Sequence, residues 1–152
     1  MTVPLPRSGM PPFARITPMQ ILINVDVDDL DKATDFYQSA FGLKVGRRFG
    51  ADGIEMVGSS APIYLLGKAA GSAAYDTDSV RRSYARHWTP VHFDFVVEDI
   101  DSAVRQAVAA GAQLEGAVST HAWGRLAPMV DPFGHGFCFV QFLGRGYDEI
   151  AT

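Results

Sequence analysis

The sequence predicts an α+β fold in which one βαβββ unit is used twice. Three observations carry this. The stretch Val27-Asp28-Asp29-Leu30-Asp31-Lys32-Ala33 recurs, 70 residues later, as Val97-Glu98-Asp99-Ile100-Asp101-Ser102-Ala103. In both copies an apolar segment precedes the acidic cluster, and an amphipathic segment ending in glycine (Gly42, Gly111) follows it. Short apolar runs punctuated by turn residues complete each half. Two equivalent surfaces brought face to face leave a groove between them, a natural place for a ligand.

The elements follow in order. Residues 1–18 hold Pro4, Pro6, Pro11, Pro12 and Pro18, and proline removes donors and fixes φ, so an extended or disordered arm is expected. Met19 to Val27 reads as a buried strand. Asp28 or Asp29 can cap the next helix by accepting a free backbone N–H. Leu30, Ala33, Phe36, Tyr37, Ala40 and Phe41 share one helical face, and Gly42 is the stop. Strands are expected at Leu43–Phe49, Ile54–Val57 and Ile63–Leu66, with Ala51-Asp52-Gly53 turning between the first two. The connection, residues 69–88, carries Arg81, Arg82, Tyr84 and Arg86, and Tyr75 to His87 is expected to form a short helix. The arginines read as a solvated face or as forks for an anionic ligand. Copy two then runs as a strand at Val91–Val97, a helix from about Asp99 to Ala110 and strands near Gln113–Ser119, Leu126–Val130 and Gly136–Phe142. Asp131-Pro132-Phe133-Gly134 is a turn signal, and His135 reads as a turn residue. One domain over residues 19–144 is expected, with modules at 19–68 and 89–144 and a tail at 145–152.

Composition excludes several classes. The chain has 152 residues and a net charge of −4, with no basic stripe, so no nucleic-acid partner is expected. No apolar run approaches the ~20 residues of a membrane span. No secretory signal is apparent in the proline-rich start. The single cysteine cannot form an internal disulfide, consistent with a cytoplasmic setting. An isolated βαβββ unit leaves a sheet face uncovered, so pairing within the chain or across a homodimer is expected.

On Val27-Asp28-Asp29-Leu30, Phe36-Tyr37, Phe41-Gly42-Leu43, His92-Phe93-Asp94-Phe95-Val96-Val97-Glu98-Asp99-Ile100, Ala110-Gly111-Ala112 and Asp131-Pro132-Phe133-Gly134, the chain resembles the vicinal oxygen chelate superfamily. That superfamily includes glyoxalase I, extradiol dioxygenases, fosfomycin-modifying enzymes and bleomycin-resistance proteins. The resemblance covers roughly residues 19–144. It implies a curved mixed sheet around a central cavity. Enzymes of this family hold a divalent metal with His or Gln on a first strand and Glu on a last strand, so the resemblance implies a ligand set to be checked by position. The first-strand position falls on His92 in copy two and on Leu22 in copy one. The last-strand position falls on Cys138 in copy two, and on Tyr64 or Leu66 in copy one. Gln20 enters only with a two-residue shift along the strand. Two donors fall short of the three plus an open position that a catalytic metal needs; His87, His121 or a partner chain could supply a third. No cofactor is therefore expected, with a divalent metal as the lesser alternative.

The remaining candidates have two readings each. His92 lines the cavity as donor or general base, or is a satisfied core histidine. Cys138, among Phe137 and Phe139, is an inert buried thiol or a soft ligand. Trp123, beside Gly124, lids the cavity and stacks on a planar ligand, or shields the core edge. The leading function is a small-molecule-binding protein with an aromatic cavity, its sites His92, Cys138, Tyr64, Leu22 and Trp123. Alternatives are a metal-dependent or metal-free lyase, isomerase or dioxygenase using His92, and a partner-binding protein acting through the N-terminal arm.

Overall fold

A computed structural model describes residues 19–76 and 79–152. The N-terminal arm expected at 1–18 lies outside them. The elements are β1 (Ile23–Val27), α1 (Leu30–Phe41), β2 (Lys44–Phe49), β3 (Gly53–Val57), β4 (Ile63–Gly67), β5 (Phe93–Val96), α2 (Ile100–Ala110), β6 (Gln113–Leu114), β7 (Ser119–His121), β8 (Gly124–Val130) and β9 (Gly136–Phe142). A 3₁₀ helix, Gly146–Glu149, follows. The α+β class and the doubled unit are both present.

Each module is a mixed sheet with one helix. The first sheet has the order β1-β4-β3-β2 and the second β5-β9-β8-β6, with β7 also paired to β8. In each, the first strand runs parallel to the last: Ile23 opposite Ile63, and Phe93 opposite Phe137. Among the described residues the two sheets share no strand pairing. Among the same residues, no helix is long and apolar enough to cross a membrane.

The sequence repeat is a repeat of capping chemistry. Asp29 accepts the Lys32 amide at 2.9 Å and Asp99 accepts the Ser102 amide at 3.0 Å, satisfying donors that a helix start leaves open. Gly42 and Gly111 end the helices with positive φ. The two helices pack on each other, and Phe41 at the end of α1 crosses to the second module. Its ring stacks on Phe95 at 4.3 Å and meets Phe137 edge-on at 5.3 Å. Rings in such geometries contribute about 0.5–1.5 kcal/mol per pair beyond their burial. One continuous core, with Val27, Phe36, Leu65, Ile100, Met129 and Phe139 all buried, therefore spans both units.

Besides the buried strand expected over Met19–Val27, which starts only at Ile23 and leaves Met19, Ile21 and Leu22 exposed, three expectations change. The predicted strand over Gln113–Ser119 is broken into β6 and β7, both paired to β8. Pro128 of β8 lies between the two pairings and has no N–H to offer the ladder. The strand predicted over Val91–Val97 starts only at Phe93, leaving His92 just before it.

The third change concerns Tyr75 to His87, where no described residue is helical. The segment is a strap. Gly71 N–H donates to the Arg82 carbonyl, Arg82 N–H donates to the Ser72 carbonyl, and Ala73 bridges Arg81. Arg81 and Arg86 are exposed, as a solvated face requires, but two of the three arginines are also held by carboxylates. Arg82 Nε donates to Asp26 Oδ2 of β1 at 2.6 Å, and Arg86 Nε donates to Glu115 Oε1 of the second module at 2.7 Å. Side chains that reach back to carboxylates on both modules favour a strap over the (i, i+4) spacing of a helix.

The strap closes on the Asp131-Pro132-Phe133-Gly134 turn. His87 N–H donates to the Gly134 carbonyl at 3.2 Å. Gly134 has φ +84°, and a Cβ there would stand 2.2 Å from the Ala85 carbonyl oxygen. Gly134→Ala is therefore expected to cost roughly 2 kcal/mol or more, read from urea unfolding, because both conformation and space exclude a side chain. A loss under about 0.5 kcal/mol would contradict this packing.

Candidate functional site

Between the modules lies a cavity of about 320 Å³, at the lower end of the roughly 300–1,000 Å³ usual for ligand sites. Its apolar wall is Val25, Phe41, Phe93, Phe95 and Phe137; its polar wall includes Asn24, Asp26, Tyr37, His87, Asp131 and His135. The apolar wall arises from strand alternation. Phe93 and Phe95 share one face of β5 and Phe137 pairs opposite Phe93; Phe41 of α1 meets Phe95 and Phe137 there, and Phe93 packs edge-on against Phe95.

The polar wall is organised by Asp131, which is only 5% exposed. Oδ1 accepts the amides of Phe133 at 2.8 Å and His135 at 2.9 Å. Oδ2 lies 2.8 Å from His135 Nδ1 and accepts the Tyr37 hydroxyl at 3.3 Å. A buried carboxylate is tolerated because four donors replace its water. Burial, followed by the Asp131 charge and the hydrogen bond to it, raises the Tyr37 pKa well above that of a free phenol. Tyr37 thus stays a hydrogen-bond donor.

His92 sits at the rim of this cavity. Its Nε2 is 3.2 Å from Asp94 Oδ1, and both side chains are about half exposed. His92, Asp94 and Cys138 bring three donor atoms within 4.8 Å of one another. Asp94 is opposite Cys138 in the parallel pairing, and residues two apart on a strand share a face. The third donor sought in loops is therefore Asp94. His121, which ends β7, and His87 of the strap are engaged elsewhere: His121 contacts Ser119 Oγ at 2.8 Å, and His87 Nδ1 lies 2.9 Å from the Ala85 carbonyl. Imidazole, carboxylate and thiol form a donor set that suits a zinc-type ion. Cys138 enters it as a thiol, since burial and then the Asp94 charge push its pKa up to about 11.

The other sequence candidates stand apart. Leu22 is 58% exposed, ahead of β1. Tyr64 belongs to a module-one network: Arg47 Nη2 donates to the Tyr64 hydroxyl at 3.0 Å, and the same guanidinium grips Glu55 through Nε at 2.7 Å and Nη2 at 3.1 Å. That grip holds the Glu55 carboxyl down to about 2. Trp123 stacks on His121 at 5.1 Å, with Tyr147 at 5.2 Å on its other contacts. None of Leu22, Tyr64 and Trp123 lines the inter-module cavity. The residues that sequence reasoning passed over are Tyr37, Asp131 and His135. The only local signal was an Asp and a His four positions apart across a tight turn; Tyr37 is 94 positions away.

The model of the glyoxalase-like domain family matches residues 22–140. Among curated proteins the chain is 30% identical over 129 residues to anthracycline biosynthesis protein DnrV of Streptomyces peucetius, covering 85% of this chain and 43% of that protein. It is also 30% identical to anthracycline biosynthesis protein DauV of Streptomyces sp. (strain C5), over 134 residues. The chain thus spans less than half the length of these relatives. Similar solved structures include the fosfomycin resistance protein FosX from Listeria monocytogenes (TM-score 0.64, 18% identity, 90% of this chain, 100% of that one). A glyoxalase-related enzyme from Fulvimarina pelagi gives a TM-score of 0.63 at 18% identity, over 82% of this chain and 88% of that one. At these identities the likeness is one of fold.

The state of Cys138 gives a direct test. With a pKa of about 11, roughly one thiol in a thousand is ionised at pH 8, against about a quarter for a free cysteine. Iodoacetamide labelling at pH 8 is expected to run about 100-fold slower than on free cysteine and to accelerate with pH until about 11. Labelling at the free-thiol rate would contradict the environment described.

Proposed function

The chain belongs to the glyoxalase-like family, and from that premise we propose that it binds a planar, oxygen-bearing aromatic molecule in the cavity between its two modules. The supporting observation is the composition of that cavity, in which four phenylalanines face a polar wall held by Asp131. Rings of this kind stack on flat ligands, and a few fixed polar groups orient them. The named role of the relatives in anthracycline biosynthesis points the same way, because an anthracycline nucleus is a flat hydroxylated quinone. On this reading Phe93 and Phe95 supply contact area and His92 guards the rim, while Trp123 takes no part. A homodimer is part of the proposal: Val96, 62% exposed on β5, and Leu22 are apolar surface that a second copy would cover.

A second reading is favoured by the triad of His92, Asp94 and Cys138. These three would hold a zinc-type ion, which when bound supplies Lewis acidity toward an oxygen of the ligand. His92 and Asp94 are already 3.2 Å apart, and Cys138 must surrender its proton to bind, so affinity should rise with pH.

Calorimetric titration with 1,4-dihydroxyanthraquinone tests the first reading. Binding is expected in the micromolar range, weakened about tenfold, or roughly 1.4 kcal/mol, by Phe93→Ala. Equal affinity in the variant, with folding intact, would contradict it. Elemental analysis after Zn²⁺ is offered to chelator-free protein tests the second reading, which predicts about one ion per chain, lost in Cys138→Ser. Retention of zinc by that variant would rule out the triad.

A further inference from the structure

The Asp131–His135 pair has the form of a supported base, and neither the family's first- and last-strand positions nor the triad at the rim accounts for it. The Asp131 carboxylate can only accept, so His135 Nδ1, 2.8 Å away, carries the proton between them. The other ring nitrogen, Nε2, takes no hydrogen bond from any described residue, and His135 lines the cavity. Tyr37 from α1 donates to the same carboxylate oxygen, Oδ2, at 3.3 Å, and Asp131 itself is almost wholly buried. The imidazole is further held by the His87 ring, edge-on at 5.2 Å, and by Tyr84 at 6.4 Å. A carboxylate fixing Nδ1–H and leaving Nε2 toward a cavity is the arrangement that makes histidine a proton acceptor, since the carboxylate steadies the imidazolium that results.

We propose that His135 Nε2 takes the proton of an acidic hydroxyl, a phenol or enol, on the aromatic molecule bound in this cavity. This rests on the cavity being the binding site. The O–H bond breaks, its electron pair stays on the ligand oxygen as phenolate or enolate, and the proton forms the new N–H bond on Nε2. The imidazolium then faces the Asp131 carboxylate. The other ionisable groups around the site are Tyr37 on α1, His87 and Tyr84 on the strap, Asp26 on β1 and His92 at the rim. Asp26 is matched by Arg82. His87 Nδ1 is turned to the Ala85 carbonyl, so its ring presents no carboxylate-supported nitrogen. His92 is the rival proton acceptor, but its partner Asp94 is exposed rather than buried. The chemistry implied is proton abstraction from an activated oxygen or its tautomerising carbon, without recourse to the rim triad.

The probe is 1,4-dihydroxyanthraquinone, whose visible band moves to longer wavelength when a phenolic proton leaves. Bound to the wild-type chain, it is expected to ionise at least about one pH unit below its transition in free solution. His135→Gln keeps a polar side chain but has no basic nitrogen. It is expected to bind the probe up to about tenfold more weakly, while the probe that is bound titrates as it does in water. Tyr37→Phe removes one of the donors that fix Asp131, and is expected to give a smaller shift than wild type in the bound probe. Ring ¹⁵N NMR should show His135 as the Nδ1-protonated tautomer. A probe that binds normally but stays unionised, or ionises equally in wild type and His135→Gln, overturns this proposal and leaves the binding reading standing. A probe that does not bind at all overturns both. An Nε2-protonated tautomer overturns the base assignment whatever the probe does.

Discussion

The buried carboxylate of Asp131 is the constraint on which the rest of the architecture converges. It closes the turn before β9 through two backbone amides, orients His135, and reaches into the first module through Tyr37. Left without these donors, a carboxylate this buried would cost several kcal/mol. The second module's turn, the first module's helix and the cavity wall are therefore interdependent. The strap adds a further condition, because its backbone lies against Gly134 with no room for a side chain.

The two modules are related by sequence but have diverged in chemistry. Both keep the aspartate cap, the glycine stop and the parallel closure of first on last strand. On the strands, the first module has turned its polar groups into a closed network of Arg47, Glu55 and Tyr64, in which the carboxylate is already fully engaged. The second module retains a histidine, an aspartate and a thiol within reach of one another. Among the described residues, the cluster of three possible metal donors belongs to the second module, whereas the aromatic cavity uses both.

Much of the fold was legible in the sequence because it depends on short-range physics. Asp29 and Asp99 cap helices from one position away, Gly42 and Gly111 supply positive φ, and the apolar faces of α1 and α2 follow helical spacing. The strap was not legible: Arg82 and Arg86 are ordered by carboxylates at Asp26 and Glu115, distant in the chain. The break between β6 and β7 depends on Pro128 in a neighbouring strand. The candidate site was legible in part. His92 and Cys138 were found by position, and Asp94 follows from strand alternation. Tyr37 and His135 share a carboxylate that only the packing of α1 against the second module brings between them. Trp123, conspicuous in the sequence, is taken up by His121, Phe142 and Tyr147.

On the proposed reading, ligand sits between the modules, against the phenylalanine wall. The most direct measurement is the set of intermolecular NOEs between ring protons of bound 1,4-dihydroxyanthraquinone and the chain. Contacts to Phe41, Phe93 and Phe95, with His135 close to the hydroxyl edge, are the predicted result. Contacts confined to Trp123 and Tyr147, or to the exposed face around Val96, would contradict the account.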